Sequence, residues 1–499
     1  MFSLRLQCRL AGRPKFISLS LSRYSKIAHS SFNDDAVFIP SPSFHVDLPP
    51  IDARHMFHFT RRLLIFRCAS SAQRDAQLAA FKTGIQALLL RCPILGGDVT
   101  PLPPDVATAD KQDWRTIVPG RGVELVVRDL RGKMPPFQEL EAANFPPLQL
   151  PWDLLMPIPR DLSNDHPHAA CKMQFSAIEG GTVLTFATSH CVTDGAGTDQ
   201  WMRILSDGMR LAQGDSIERS AAEIVGLDRS VLSNMTSNLE FDIEDHPAYR
   251  FKRPPPPPDA PALEPAPANV FGATASEVPI LLRLSPTGLA QLKVDATTPG
   301  ALPISTHDAL CALMWRTVLL IRSRRSSAPS LSLSATSNLF MPSDARRHLP
   351  ALPSSYVGNA TYQIIAPLNL GTLLSPSGLP RAAGSVRRAV KAITPALVES
   401  YMAFLRDPAA SRFLEYRFMN GTTNTTGFAM GTFLGSGEAM YGGNWGEAFG
   451  PLVRFRVIGE PGNTVLPRRP DGSIEAIVAV RPEEVEVLTG VEGFGKYLV

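Results

Sequence analysis

The sequence has few cysteines, and none of them are paired in sequence. Cysteine accounts for six of the 499 residues, with no C-x-x-C pair among Cys8, Cys68, Cys92, Cys171, Cys191 and Cys311. In a chain this long, scattered cysteines argue against a disulfide framework and a structural zinc site. We therefore expect a reducing compartment, the cytoplasm.

Neither sign of charge dominates, and no long apolar run is present. Lys plus Arg number 49 and Asp plus Glu number 46, which gives no reason to expect nucleic acid as a partner. The longest strongly apolar stretch, 309–321, is interrupted by Arg316. It is shorter than the roughly 20 apolar residues that span a bilayer, so we predict no membrane span.

Acidic residues are absent from the N-terminus. Six basic residues precede the first acid, Asp34, in a serine-rich segment. This composition is typical of an organelle transit peptide. A disordered extension or a misassigned start codon is the alternative, and we favour it because the compositional signal is weak. Residues 1–40 are accordingly interpreted as an extension.

Strand and helix patterns alternate in both halves, which predicts α/β domains. Short β-prone apolar runs predict strands at 63–68, 123–127, 183–188, 278–284 and 474–480. Apolar residues spaced three and four apart predict helices over 78–92, after 200, and over 308–322. Ser305 and Asp308 form a capping-box signal before the last of these helices.

A change of composition divides the chain. The stretch 226–285 contains a run of five prolines and further prolines to Pro267. Polyproline is a semi-rigid extended spacer. We therefore predict a first domain over 41–225, a proline-rich crossover over 226–285, and a second domain over 286–499.

One motif has the form H-x-x-x-D-G and runs from His190 to Gly195. An imidazole with a pKa of about 6.5 suits general base catalysis. The motif follows the predicted strand 183–188 and enters a glycine-containing turn, where a rigid element presents a functional group on a loop. Asp194 either hydrogen-bonds the ring or braces the turn, and Gly195 gives the backbone freedom for it.

Two other chemistries were weighed for His190. A metal site needs two more ligands of the right kind, and His166 and His168 stand in a segment that reads as a polar loop. A serine hydrolase needs a G-x-S-x-G elbow, which is absent, and Ser189 points to the opposite side if its strand continues. We expect neither a metal nor a covalent serine intermediate.

Two further clusters lie downstream. Segment 441–451 is rich in glycine and includes Asn444, Trp445 and Gly446, and it is either a pocket-shaping loop or a long structured turn. The D-x-R stretch that ends at Arg346 precedes Tyr356 and the rest of segment 356–360. This arginine belongs to a surface charge cluster, pairs with a buried carboxylate, or contacts phosphates.

These clusters, in this order, resemble the BAHD acyltransferase family, especially its fungal trichothecene 3-O-acetyltransferase-like members, over residues 41–499. The resemblance implies two chloramphenicol-acetyltransferase-like α/β domains joined by a long crossover, with an active-site channel between them. It also implies a monomer that holds no permanent cofactor. Acyl-CoA, most commonly acetyl-CoA, would be the co-substrate, and a small secondary-metabolite alcohol would be the acceptor.

The resemblance also assigns roles to residues. His190 is the expected general base. Asp194 and Gly195 support the site, with Arg346 as the candidate partner of Asp194. Asn444, Trp445 and Gly446 stand where the family has a structural D-F-G-type segment. Thr425 and Thr426, together with Trp445, are candidate oxyanion or substrate contacts.

Asn444 is a departure from that family pattern, since aspartate is usual there. An amide keeps a hydrogen bond but loses the charge that would pair with an arginine. This departure keeps open a non-catalytic small-molecule or partner-binding protein on the same fold. An N-acyltransferase or condensation-like enzyme is a further alternative, because condensation domains share the H-x-x-x-D-G motif.

Overall fold

A computed structural model describes most of the chain. The described residues are 4–10, 13–19, 35–54, 58–103, 105–111, 114–159, 167–215, 227–235, 237–252, 277–325, 331–417, 426–458 and 462–499. His166, Thr425 and the proline run of the crossover lie outside these ranges.

Within the described part of the chain, the strands form two six-stranded mixed sheets and three small sheets. In chain order, the strands of the described residues are β1 (Leu4–Leu10), β2 (Arg13–Leu19), β3 (Asp35–Ile39), β4 (Phe59–Arg67), β5 (Gly97–Pro101), β6 (Arg115–Pro119), β7 (Val123–Asp129), β8 (His168–Ala169), β9 (Cys171–Ile178), β10 (Gly181–Ser189), β11 (Tyr249–Phe251), β12 (Val278–Leu284), β13 (Thr336–Asp344), β14 (Thr361–Asn369), β15 (Leu414–Tyr416), β16 (Gly427–Thr432), β17 (Arg454–Arg456), β18 (Asn463–Val465) and β19 (Ile474–Val480).

The α-helices of the same residues are α1 (Pro50–Ala53), α2 (Ser71–Arg91), α3 (Phe137–Ala142), α4 (Trp152–Leu155), α5 (Gly195–Ala212), α6 (Ser230–Ser233), α7 (Pro286–Asp295), α8 (Thr306–Ser323), α9 (Leu370–Leu374), α10 (Gly378–Lys391), α11 (Pro395–Leu405), α12 (Pro408–Ser411), α13 (Gly437–Tyr441) and α14 (Val485–Thr489). In these ranges no helix combines the length and the apolar character that crossing a bilayer requires.

The first large sheet has the order β17-β4-β10-β9-β7-β3. Alternate side chains of β10 enter two different cores, because successive residues of a strand face opposite sides of a sheet. Leu184 and Phe186 join the core that contains residues of α2 and α5. Val183 and Ala187 join a smaller core on the other face. The central strand β10 is therefore buried along its whole length, and it ends directly at His190.

The second large sheet has the order β12-β19-β18-β16-β13-β14. Its core includes ten of the 18 residues of α8. The capping box predicted for this helix is present, because Ser305 Oγ accepts from the Asp308 N–H and the Asp308 carboxylate accepts from the Ser305 N–H. The expected pair of sheet-rich α/β domains is confirmed.

Two strands lie outside the domain boundaries drawn from the sequence. β3 falls within the 1–40 extension, yet it pairs with β7 as an edge of the first sheet. β17 falls within 286–499, yet it pairs with β4 at the opposite edge of that sheet. β17 is only three residues long and has the sequence Arg-Phe-Arg, so no composition signal marks the sheet that it joins. The second half of the chain therefore contributes an edge strand to the first sheet.

The described part of the crossover packs on the second domain. Leu232 and Tyr249 are buried in its core. β11 pairs with β15, and His246 hydrogen-bonds Tyr362 and Ser400. These parts of the segment are therefore fixed to the second domain, while Arg229 reaches the Val192 carbonyl oxygen of the first domain.

A buried ion pair fastens the first domain to β19. Arg456 is fully buried and donates to Glu475 Oε2 at 2.8 Å and to the carbonyl oxygens of Asn144 and Phe145 at 2.6 and 2.9 Å. Asn144 and Phe145 both have positive φ, 62° and 50°, which is uncommon for residues with a Cβ. The hydrogen bonds from Arg456 thus stabilise a strained turn at the domain contact.

We predict that Arg456→Met lowers the free energy of unfolding by about 3–5 kcal/mol, because two buried carbonyl groups lose their donor and the buried Glu475 carboxylate retains Asn144 Nδ2 and, at 3.5 Å, Arg469 in place of its closest cation. Arg324→Met is the control, since Arg324 pairs with Glu492 at the surface, where such pairs contribute about 0–1 kcal/mol. Chemical denaturation of the two variants measures the difference. Equal losses would contradict the structural role assigned to Arg456.

Candidate active site

Asp194 joins the two domains at the start of α5. Its side chain caps the helix by accepting from the Gly197 N–H at 2.8 Å. The same carboxylate receives both terminal nitrogens of Arg346, each at 2.9 Å, and the Ala360 N–H at 2.8 Å. Both charged side chains are buried. A bidentate pair of this kind fixes direction as well as distance.

The N–H groups of Arg346 are all directed at named acceptors. Besides Asp194, they reach the carbonyl oxygens of Tyr356 and Gly358 and the carboxylate of Asp344. Burial raises the pKa of Asp194, but the charge and hydrogen bonds of Arg346 outweigh it and hold that pKa at about 2. Asp194 is therefore ionised at neutral pH, and its oxygens serve the helix and Arg346.

The glycine that this turn requires is Gly197. The expectation that Gly195 frees the backbone for the turn is therefore corrected. A Cβ on Gly197 would lie 2.3 Å from the Val357 carbonyl oxygen, which leaves no room for a side chain. At Gly195 the nearest atom to such a Cβ is Arg62 Nη2 at 3.8 Å, and its φ is not positive. Gly195 instead accepts a hydrogen bond from Arg62 through its carbonyl oxygen. Position 197 requires glycine because the Val357 carbonyl oxygen of the second domain approaches it closely.

His190 follows β10 and lies at the contact between the domains. Its N–H donates to the His58 carbonyl oxygen at 2.9 Å, and the two imidazole rings have centroids 4.4 Å apart. Its Nδ1 lies 3.0 Å from Asn359 Oδ1, which the second domain contributes. Burial lowers the pKa of His190 below its usual 6.5, although the charge of Asp194 acts in the opposite direction. The ring is therefore neutral at pH 7 and can accept a proton.

A chain of buried polar groups continues from His190. Asn359 Nδ2 donates to the His190 carbonyl oxygen and to Asp52 Oδ1, both at 2.7 Å. Asp52 pairs with Arg229, whose guanidinium also donates to the Val192 carbonyl oxygen. Sequence reasoning did not single out any of these partners. Asn359 was visible inside segment 356–360, but Asp52 and Arg229 carry no motif.

Ser189 and His190 have different partners, as their opposite directions on the strand predict. Ser189 Oγ lies 3.3 Å from His168 Nε2.

Burial raises the pKa of the neighbouring Cys191 thiol to about 11, so that thiol is protonated at neutral pH. Within the described ranges no group of three His, Cys, Asp or Glu side chains is placed to hold a metal ion.

The loop that contains Asn444, Trp445 and Gly446 packs on the first domain. Trp445 is buried, and its indole N–H donates to the Met440 carbonyl oxygen at 3.2 Å. That donor is therefore engaged in the fold, which corrects the expectation of an oxyanion role for Trp445. Gly446 has a φ of +86°, and a Cβ there would lie 2.0 Å from Gln213 Nε2. The loop is thus a structured turn seated on α5.

Asn444 is exposed, and its Oδ1 accepts from the Gly446 N–H at 2.9 Å. No arginine hydrogen-bonds this amide among the residues that the structure describes. Because the position faces solvent, the missing carboxylate leaves no buried charge unpaired. The departure at Asn444 therefore does not bear on His190.

Thr426 joins none of the hydrogen bonds around His190 described above. Its carbonyl oxygen accepts from Ser337 Oγ at 2.6 Å, at the start of β16.

A cavity of about 380 Å³ adjoins the site beside Arg229 and Val357. His190 does not line this cavity, so it is not where the ring would meet a substrate.

Two family models match the chain. Residues 59–208 match the trichothecene 3-O-acetyltransferase-like N-terminal domain. Residues 173–490, well over half of the chain, match the Transferase family. The two matches together span the H-x-x-x-D-G motif, Arg346 and the loop at Asn444.

The chain is also similar to curated fungal relatives and to solved structures. The enoyl-CoA isomerase/hydratase claC of Penicillium crustosum is 26% identical over 91% of this chain, which spans about half (52%) of that protein. The O-acyltransferase pigD of Monascus ruber is 26% identical over 85% of this chain and 92% of its own length. The structure of Fusarium graminearum TRI101 with coenzyme A and T-2 mycotoxin has a TM-score of 0.76 at 19% identity and covers 91% of this chain and 99% of its own.

We predict that Asp194→Asn lowers the free energy of unfolding by about 3–5 kcal/mol, because Arg346 stays buried and keeps only the partly exposed Asp344 as a counter-charge. The depressed pKa of Asp194 sets the pH dependence. The stability that the carboxylate contributes is present above its unfolded pKa of 3.8 and is lost as the pH falls to about 2. The difference in the free energy of unfolding between the parent protein and Asp194→Asn, measured by denaturant titration, should shrink as the pH falls from 3.8 to about 2. A fully stable variant with a shifted activity profile would show that Asp194 acts on the ring.

Proposed function

Because this chain belongs to the Transferase family, the BAHD-type acyltransferases that its motifs resemble, we propose that it transfers an acyl group from acyl-CoA to a hydroxyl group of a small secondary metabolite. His190 is the general base. The observation that carries the proposal is the neutral imidazole of His190. This residue directly follows β10 and lies where the two domains meet. Groups from both domains hold it there.

The reaction proceeds directly between two bound substrates. His190 accepts the proton of the acceptor hydroxyl while that oxygen attacks the thioester carbonyl carbon. The tetrahedral intermediate collapses with cleavage of the carbon–sulfur bond, and His190 returns the proton to the departing thiolate. General base assistance of this kind accounts for about 10²–10⁴ in rate, and alignment of the two substrates supplies much of the remainder.

The intermediate also requires donors for its oxyanion. Thr425 and Thr426 remain our candidates for this contact or for substrate binding. Thr426 directly precedes β16 in the second domain, across the domain contact from β10, and Thr425 lies outside the described residues. The support for these two residues comes from the family resemblance.

Acetyl-CoA is the proposed donor and an alcohol the proposed acceptor. The solved neighbour from Fusarium contains coenzyme A together with T-2 mycotoxin, and the Monascus relative is an O-acyltransferase. Incubation with acetyl-CoA and longer acyl-CoAs against matched alcohols and amines, with mass spectrometry of the products, tests the donor and acceptor classes. Amide products alone would replace this proposal with N-acylation.

We predict that His190→Ala lowers acyl transfer by about 10²–10⁴-fold, the range for a general base. Release of free CoA thiol in the presence of acceptor measures the rate. His307→Ala is the control, because His307 lies in the first turn of α8 and contacts Cys311 in the second domain. Full transfer by a stable His190→Ala enzyme would exclude His190 as the base.

We also predict an acid limb in the pH dependence of kcat/KM with a midpoint below 6.5, since burial lowers the pKa of His190. Activity should be on its plateau at pH 7 and should fall as the ring becomes protonated. Initial rates between pH 4.5 and 8 provide the measurement, with protein stability followed over the same range. A midpoint above 6.5 would place a different group in the rate-determining proton transfer.

A further inference from the structure

We infer that Asn359, aligned by Asp52, is the residue that determines which nitrogen of His190 carries the proton. Asn359 is thus the positioning residue of the base. The inference rests on the proposed function, in which His190 takes a proton from the acceptor. The H-x-x-x-D-G spacing alone would suggest that Asp194 orients the His190 ring. The inference assigns that role to Asn359 and Asp52 instead.

The first step is the orientation of the Asn359 amide. Its Nδ2 lies 2.7 Å from both the His190 carbonyl oxygen and Asp52 Oδ1. A carbonyl oxygen and a carboxylate oxygen only accept hydrogen bonds, so the group facing them must be the NH₂. The reversed amide would direct its oxygen at two acceptors. The network therefore fixes Oδ1 on the side of the His190 ring.

The second step is the tautomer of His190. Because Asn359 Oδ1 can only accept, Nδ1 of His190 must donate across the 3.0 Å contact. A neutral imidazole has one N–H and one lone pair on its two nitrogens. The lone pair of the neutral ring therefore resides on Nε2, which becomes the proton-accepting atom.

Asp52 gives this arrangement its rigidity. It is fully buried, and Oδ1 also accepts the Asn359 backbone N–H at 2.8 Å. Its second oxygen pairs with Arg229, which in turn holds the Val192 carbonyl oxygen within the H-x-x-x-D-G loop. The side chain and backbone of Asn359 are thus fastened to one carboxylate, and that carboxylate is fastened to the loop of the base.

The amide has a different effect on the ring from a carboxylate in direct contact. An adjacent carboxylate favours the imidazolium ion and raises its pKa. The neutral amide of Asn359 orients the ring without adding a charge next to it. The other groups that bear on the ring are the Asp194 charge and a hydrogen bond to the backbone of His190 itself, which favour protonation, the Arg62 charge, which opposes it, and the neighbouring ring of His58. A neutral, oriented base suits proton abstraction at pH 7.

The primary test compares Asn359→Leu with Asn463→Leu. Asn463 is also a buried asparagine, but its amide hydrogen-bonds backbone groups of β16 and β19. We expect Asn359→Leu to lower kcat on the order of 10²-fold, the cost of a misplaced catalytic group, with KM for acyl-CoA unchanged. Asn463→Leu should retain kcat. Equal kcat in the two variants overturns the inference.

A spectroscopic test reads the tautomer without any turnover. The ¹⁵N chemical shifts of selectively labelled histidine distinguish an Nδ1–H from an Nε2–H ring, and the His190→Ala spectrum assigns the signal. We expect Nδ1–H in the parent protein and a mixture in Asn359→Leu. An Nε2–H ring in the parent overturns the inference. Activity in His190→Ala would instead overturn the proposed function, so the two failures are distinguishable.

Asn359→Asp provides a second variant of nearly the same shape, in case Asn359→Leu does not fold. Its second oxygen faces Asp52 Oδ1 and the His190 carbonyl oxygen, so the new carboxyl must hold a proton to keep these contacts. In that state it still accepts from Nδ1, and we expect the Nδ1–H signal of His190 to persist, with kcat above that of Asn359→Leu wherever that variant folds. An Nε2–H ring in the folded Asn359→Asp protein overturns the inference.

Discussion

The ion pair of Asp194 and Arg346 is the interaction on which the geometry of the site depends. One carboxylate caps α5, joins the two domains and holds the backbone at Ala360. Two buried charges are tolerated here because nearly every donor and acceptor on them is used, which offsets the loss of hydration. The motif residue beside the base therefore acts on architecture. Orientation of the ring depends on a second set of polar groups, at Asn359 and Asp52.

Much of the fold was predictable from local patterns. The strands β12 and β19 lie at the positions predicted from apolar runs, and α8 begins with the predicted capping box. A strand or a helix cap depends on residues that are neighbours in sequence, so the local sequence pattern is enough to predict it. The pairing of Arg346 with Asp194 was expected from the family resemblance alone. The residues themselves left open a surface cluster, a buried ion pair or a phosphate contact for Arg346, and a contact with the His190 ring or a brace of the turn for Asp194.

Other parts of the site were not predictable because they depend on distant pairs. Asp52 and Asn359 are 307 positions apart in the chain, and neither belongs to a periodic pattern. The requirement for glycine at position 197 comes from the Val357 carbonyl oxygen, which only the docked second domain brings there. The loop at Asn444 likewise has a fixed shape because Gln73 and Gln77 donate to the Ala448 carbonyl oxygen and Gln213 accepts from its N–H.

The placement of β17 beside β4 has a consequence for synthesis of the protein. About 390 residues separate these two strands in the chain. At about 5–20 residues per second, a ribosome needs on the order of 20–80 s to make that interval. During this time β4 is an edge strand with unpaired backbone groups, which is a template for wrong pairing. The first domain is thus encoded early but completed late, and its nascent form depends on protection of that edge until the last tenth of the chain emerges.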